Sequence, residues 1–341
     1  MATLAAAFAS SHSLMLASDL DDWLTRFRQS DLRMPYYDDA GEKITYADVL
    51  ARAPADAGRH ITAETITAGF AEVQAAMARM KSEIASAGLD ALIIVGDDQH
   101  ELFLDDHMPS IAIFHGATIR NARRQEAPPQ DWFRNRQMRR LEPEGDVDYP
   151  CHPPLARHLI EGLVEAEFDV SAIGGLGAEQ YEGHAYSFIH RWYLNGGGPL
   201  APAGTTYQPT SLPVVPIFLN TYNPPNQPTP RRCVKLGYAL RDLIASFSGA
   251  LRIGVLASGG LSHFIVDEKM DRAIIEALRS KDMAYLARLD ARRLKAGSSE
   301  IRNWIVVAAA ARDLDLTWVS YTPAYRSAAL TGTGLGFARW S

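Results

Sequence analysis

The stretch DALIIVGDDQHELF, Asp90 to Phe103, decides how the rest of the chain is read. Ala91 to Val95 is an unbroken apolar run. Such a run is expected of a parallel strand covered by helices on both faces, because neither face alternates with polar residues. The run then passes through Gly96 into Asp97, Asp98, Gln99, His100 and Glu101, five side chains able to hold a ligand. In open α/β sheets, ligands gather outside the carboxyl ends of the strands. The stretch therefore predicts both a doubly covered sheet and a polar site at its C-terminal rim.

Working outward, other segments fit the same plan. A first strand is expected over Thr3 to Ala9, a third in SIAIFHG (Ser110–Gly116), and further strands in LPVVPIFLNTY (Leu212–Tyr222), LRIGVLASGG (Leu251–Gly260) and WVSYTPAY. Apolar residues recur at three- and four-residue spacing between about Ala63 and Ala87, the signature of an amphipathic helix, and Gly88 ends it. Further helices are expected over about Leu155–Glu165, Arg231–Phe247 and much of Asp267–Arg312. Strands alternating with helices imply an α/β fold with a central, mostly parallel sheet flanked by helices. The chain reads as one catalytic domain over 1–341. Polar, irregular insertions occupy about 19–59 and 117–154, the second on the surface or at a subunit interface.

Bulk properties narrow the function. The 341 residues are 47% hydrophobic and 22% charged, the balance of an ordinary globular protein. A net charge of −6, with 34 basic residues scattered among 40 acidic ones, argues against a nucleic-acid footprint. Two cysteines are too few for a disulfide framework and fit a reducing cytoplasm. The N-terminal MATLAAAFASSHSLML lacks a basic leader and is broken by His12, so it reads as a strand and loop. No run approaches the roughly 20 apolar residues of a membrane span.

The candidate chemistry lies just past predicted strands. His12 in SSHSLML is a polar loop histidine or a ligand. In DDQHE, His100 offers a neutral nitrogen and Gln99 a weaker amide oxygen, with Asp98 and its neighbours placed to orient imidazoles; the bland alternative is a solvated acidic turn. In ASGGLSHF the paired glycines allow a tight turn, and His263 can serve as general acid/base. Glu300 in GSSEIRNW is either a carboxylate ligand or a first-turn residue favoured by the positive helix end. Of His184 and His190 in EGHAYSFIH, one can line a pocket while the other is structural. No CxxC, HExxH, P-loop or GxSxG pattern is present. A 2-His-1-carboxylate Fe(II) site, which leaves one face open for O₂ and a chelating substrate, joins these signals.

The order of motifs resembles the class III extradiol ring-cleavage dioxygenases, represented by the β subunit of protocatechuate 4,5-dioxygenase. SSHSLML is similar to that family's first histidine segment, and LIIVGDDQHELFLDDHMPSIAI to its second-ligand segment. EGHAYSF is similar to its substrate-side segment, PVVPIFLNTYNPPNQPTPRRCVKLGYALRDLI to its strand, Pro-rich loop and helix, ASGGLSHF to its catalytic-base segment, and GSSEIRNWIV to its carboxylate segment. The resemblance implies a non-haem Fe(II) enzyme opening a catechol-type ring, of protocatechuate or gallate kind, with O₂. It implies His12 and Glu300 as iron ligands, His263 as acid/base and His184 against the substrate. It also implies a homo-oligomer or a small partner subunit. The chain departs from the family at Asp98-Gln99, where Asp-His is usual. Ungapped counting puts Gln99 in the ligand slot; a one-residue slip puts His100 there. Without the imidazole, a metal-free or altered-metal lyase or hydrolase on the same scaffold is the alternative.

Overall fold

The computed structural model describes residues 1–125, 127–196, 198–200 and 204–341. The apolar runs become strands of one sheet: β1 (Thr3–Ser10), β2 (Ala91–Gly96), β3 (Ile111–Phe114), β4 (Ser171–Ile173), β5 (Val214–Leu219), β6 (Arg252–Ser258), β7 (His263–Ile265), β8 (Leu316–Tyr325) and β9 (Thr331–Trp340). β1, β6, β2 and β5 run side by side and parallel, and β3, antiparallel to β5, carries β4 at the far edge. β9 closes the other side, antiparallel to β1, β7 and β8.

Side chains of β2 divide between two cores. Ile93 and Val95 join one with Leu236, Leu240 and Ile305. Leu92 and Ile94 join the other with Met77, Met80 and Ile189. The first core carries helices α2 (Pro153–Glu165), α4 (Pro230–Ser246) and α6 (Ile301–Ala310); the second carries α1 (Ala63–Ser86) and α3 (His184–Ile189). A strand packed on both faces has no solvent side, hence the unbroken apolar pattern. Between α4 and α6 lies helix α5 (Glu268–Ser280), which buries Met270, Ile274 and Leu278.

Two features differ from the sequence expectation. The second half of the last hairpin, TGTGLGFARW, is a buried ten-residue strand despite its glycines. A Cβ at Gly334 would lie 2.2 Å from the Asp271 carboxylate, and one at Gly336 2.9 Å from the Trp304 ring. Glycine is usually depleted in strands, so close approach of these neighbours hid the strand. The two insertions are not irregular throughout: Tyr36–Tyr37 pairs Lys43–Ile44, Thr118–Asn121 pairs Val147–Pro150, and Trp132–Gln137 is helical. Among the described residues, no helix is long and apolar enough to cross a membrane.

The sheet register sets the rim. Ser10 stands opposite Ser258, Val95 opposite Ala257, and Gly96 opposite Phe218. The strands thus end level, and His12, Asp97, Asn220 and Gly259 emerge together. α6 brings Glu300 to the same rim, and its seat depends on Gly237 of α4. A Cβ there would meet the Val306 carbonyl at 2.2 Å and the Ala309 Cβ at 2.6 Å. We therefore expect Gly237→Ala to push α6 outward and lower unfolding stability by about 1–3 kcal/mol, the usual cost of overpacking. Urea denaturation of the two proteins measures it; an unchanged midpoint would mean α6 is not seated by this contact.

Candidate metal centre and pocket

His12 leaves the end of β1 with both ring nitrogens buried. Its Nδ1 lies 2.9 Å from Ser258 Oγ, whose hydroxyl donates to the Ala185 carbonyl at 2.7 Å. With that proton committed, Ser258 accepts, so His12 donates from Nδ1 and its Nε2 carries the lone pair. Nε2 has no hydrogen-bond partner among the described residues. It faces Glu300 Oε2 at 3.3 Å and Asp97 Oδ1 at 3.9 Å. In the neutral ring that lone pair is repelled by a carboxylate, and either a proton on Nε2 or a cation held between them removes the repulsion.

Glu300 arrives at the last turn before α6 and is buried. The Gly260 N–H donates to Oε2 at 2.6 Å, and Oε1 lies 3.4 Å from His263 Nε2. Burial pushes this carboxyl up, but His12 and then His263 outweigh it and hold it well below the ordinary range. Asp97, the residue after β2, is wholly buried. Burial first, and Glu300 second, push its carboxyl up.

His184 opens α3. Its backbone N–H donates to Glu101 at 2.8 Å and its Nδ1 at 2.6 Å. Burial lowers its basicity, yet Glu101 more than compensates and raises it to about 9. Glu101 itself is held at about 2: burial opposes this, and His184 and Arg140 overcome it. The His184 Nε2 then points toward Asp97 Oδ2, 3.8 Å away. Donor atoms of His12, Asp97, His184 and Glu300 all lie within 4.8 Å of one another. The His12 imidazole, with its orphaned nitrogen, and the two carboxylates fit a divalent cation, while protonated His184 stands beside them as a donor.

The remaining sequence candidates divide sharply. Gln99 reaches the cluster: its Nε2 is 3.1 Å from Asp97 Oδ2 and 3.4 Å from both Glu300 Oε1 and His184 Nε2. Facing two carboxylates, the amide turns its NH₂ inward. His100 does not reach it. Its backbone is left-handed (φ 61°), and its Nε2 pairs with Asp105 at 2.9 Å on the surface. The expectation of a slipped register is corrected: Asp98 accepts the backbone N–H groups of Glu101, Leu102 and Phe103, which pins the turn and sends His100 outward. Asp98 likewise is not a pocket contact, since its carboxylate is spent on that turn. His190 pairs with Glu182 at 2.8 Å and stacks on Tyr149, in a buried cluster of its own.

His263 stands in the wall of the pocket with its ring pressed between two glycines. A Cβ on Gly260 would lie 2.8 Å from its Cε1, and one on Gly297 1.7 Å from its Cδ2. Its Nδ1 donates to the Leu261 carbonyl at 2.7 Å, which leaves Nε2 facing Glu300. The paired glycines in ASGGLSHF thus serve close packing as well as the turn. Beside them, Asp271 accepts from Ser262 N at 2.9 Å and Ser262 Oγ at 2.6 Å, holding the loop that carries His263.

A cavity of about 450 Å³ opens over the cluster. His12, Gln99, His184, His263 and Glu300 form its floor, and Tyr222, Phe188 and Phe264 give it aromatic walls. Both insertions line it, Phe27 and Met34 from the first and Phe133, Arg136 and Arg140 from the second. No local pattern marks Arg140, which pairs with Glu101 at 3.1 Å; only the fold brings that insertion over the rim. Asp97 and Glu101 were visible as members of an acidic run, but not which of its residues turn inward.

Residues 62–337 match the family described as the catalytic LigB subunit of aromatic ring-opening dioxygenase, and the chain belongs to that family. Asp97, Gln99, His184, His263 and Glu300 fall within the match. The chain is 30% identical over 120 residues to a gallate dioxygenase of Pseudomonas putida, covering 35% of this chain and 30% of the relative. It is 25% identical over 195 residues to a 2,3-dihydroxyphenylpropionate/2,3-dihydroxicinnamic acid 1,2-dioxygenase of Azotobacter vinelandii, covering 57% and 50%. A protein of the same description from Dechloromonas aromatica is 24% identical over 201 residues, covering 58% and 51%. The chain thus spans about half the length, or less, of these relatives.

The Asp271 carboxyl has a measurable signature. Burial raises it to about 6 against the opposing hydrogen bonds of Ser262 and Tyr321. A folded-state value above the ordinary 3.8 means the folded protein holds this proton more tightly. Its contribution is complete below pH 3.8 and lost as pH rises through about 6, by about 3 kcal/mol. Asp271→Asn should remove that pH dependence between pH 4 and 7 in denaturation curves. A variant with the wild-type slope would assign the slope elsewhere.

Proposed function

We propose that the protein is an Fe(II)-dependent extradiol dioxygenase that opens a catechol-type ring carrying a carboxylate, of the protocatechuate, gallate or dihydroxyphenylpropionate kind. The observation that carries this reading is the orphaned His12 Nε2, buried against Glu300 beneath an aromatic-walled cavity. His12 and Glu300 are the residues that would hold the iron. Bound there, Fe(II) would supply the positions at which the two ring oxygens and O₂ come together. The family is one of ring-opening dioxygenases, and the named relatives act on carboxylated dihydroxy- or trihydroxyaromatics by their descriptions.

The protein's own residues orient the ring and move protons. His263 Nε2 faces the cluster and takes a proton from a ring hydroxyl. His184, kept cationic by Glu101, donates from Nε2 to an oxygen on the opposite side of the pocket. Both atoms of O₂ end in the product as one ring C–C bond breaks, so no outside reductant is needed. Arg136, Arg140 and Arg326 line the cavity, each also paired with an acid, and their remaining N–H groups can donate to an anionic ring substituent. The insertion that carries Arg136 and Arg140 forms part of the mouth, a position suited either to a homo-oligomer or to meeting a small partner subunit. Two free, buried cysteines fit a cytoplasmic setting. A metal-free lyase or hydrolase is disfavoured, because it leaves two buried carboxylates facing each other with only His184, already paired with Glu101, as a cation nearby.

The test is elemental analysis of anaerobically iron-loaded protein, with oxygen consumption on protocatechuate, gallate, 2,3-dihydroxyphenylpropionate and catechol. We expect His12→Ala and Glu300→Gln to lose both iron and oxygen uptake. His263→Ala should keep its iron and lose turnover by about 10²–10⁴-fold, the usual range for a general acid–base group. Iron-loaded protein that consumes no oxygen with any of the four would refute the reading.

A further inference from the structure

We propose that Asp97 is the third protein ligand of the cation held by His12 and Glu300, in the slot that family resemblance assigns to position 99. The inference rests on the metal reading above and deepens it.

Three observations point to Asp97. First, Gln99 lies in the cluster but turns its donor NH₂ toward Asp97 and Glu300. Reversing the amide to offer its oxygen would aim that oxygen at two carboxylates. Second, Asp97 is fully buried, yet among the described residues its side chain receives only amide hydrogen bonds, from Gln99 at 3.1 Å and Asn303 at 3.4 Å. A buried carboxylate is costly unless it is paired or coordinates a metal. Among the described residues, its ion-pair partners are two imidazoles at 3.8 and 3.9 Å, and those of Glu300 are also imidazoles. No lysine or arginine neutralises either acid there. Third, the unpartnered His12 Nε2 faces both carboxylates at once.

The groups around Asp97 are therefore His12, Glu300, His184, Gln99 and Asn303, and the cation among them, His184, is already paired with Glu101. His184 is engaged as an ion pair with Glu101, leaving its Nε2 for substrate. A centre of one imidazole and two carboxylates carries a formal charge of −2 and neutralises a divalent cation. It is also richer in oxygen donors than a 2-His-1-carboxylate centre, which suits Mn²⁺ as well as Fe²⁺. Gln99 becomes a positioning residue that holds Asp97 by a hydrogen bond.

The experiment uses the full chain, stripped with a chelator and titrated anaerobically with Mn²⁺, with free Mn²⁺ read by electron paramagnetic resonance. Thermal melts are run with and without the metal. Wild type should bind one Mn²⁺ and melt higher when loaded. Asp97→Asn should bind at least about 100-fold more weakly, beyond what loss of a group that merely orients a ligand costs. Without metal it should melt no lower than wild type, because it removes one of two facing carboxylates. Gln99→Ala should lose no more than about 10-fold in affinity, at the low end of that orienting range. The proposal is overturned if Asp97→Asn binds like wild type, if Gln99→Ala is the variant that loses the metal, or if metal-free Asp97→Asn melts lower or fails to fold. Wild type that binds neither Mn²⁺ nor Fe²⁺ would instead overturn the metal reading itself.

Discussion

The rest of the site depends on one electrostatic constraint: two carboxylates, Asp97 and Glu300, are buried side by side at the end of a parallel sheet. Burial alone would drive both to the neutral form. The surrounding architecture works against that for Glu300. Gly260 donates a short backbone hydrogen bond, and His12 and His263 approach from opposite sides. The level ends of β1, β2 and β6 make the arrangement possible, because they release His12, Asp97 and the Gly259–Gly260 turn at the same height. α6, seated against Gly237 of α4, then supplies the acid from the far end of the chain.

The histidines around this pair have contrasting supports, and the supports define what each can do. His12 is anchored through a neutral hydroxyl, which fixes its tautomer without adding charge. His184 is anchored through a carboxylate, which keeps it protonated. His263 is anchored through a carbonyl and packed between glycines, which fixes its plane. Three imidazoles in one cavity thus differ in the kind of group that holds each of them.

Much of the fold was legible because its cause is local. The apolar runs of β2, β5 and β6 and the spacing of α1 announce themselves, since burial on both faces leaves no other pattern. β9 was hidden because its glycines answer to Trp304 and Asp271, residues distant in sequence. At the site, His12, His263 and Glu300 stood out by following or flanking strand ends. The DDQHE run did not resolve. Which residue turns inward is fixed by three backbone hydrogen bonds to Asp98, and that choice left His100 on the surface. The role of Glu101 was equally out of reach, because its partners come from positions 140 and 184.

Glu101 joins elements that would otherwise be independent. It grips the backbone and ring of His184 and, on its other oxygen, the guanidinium of Arg140. Arg140 comes from a polar excursion that also walls the cavity. A polar excursion outside the central sheet is therefore wired to one imidazole of the cavity floor. A change in that excursion that removed the guanidinium at position 140 would therefore reach His184 through Glu101.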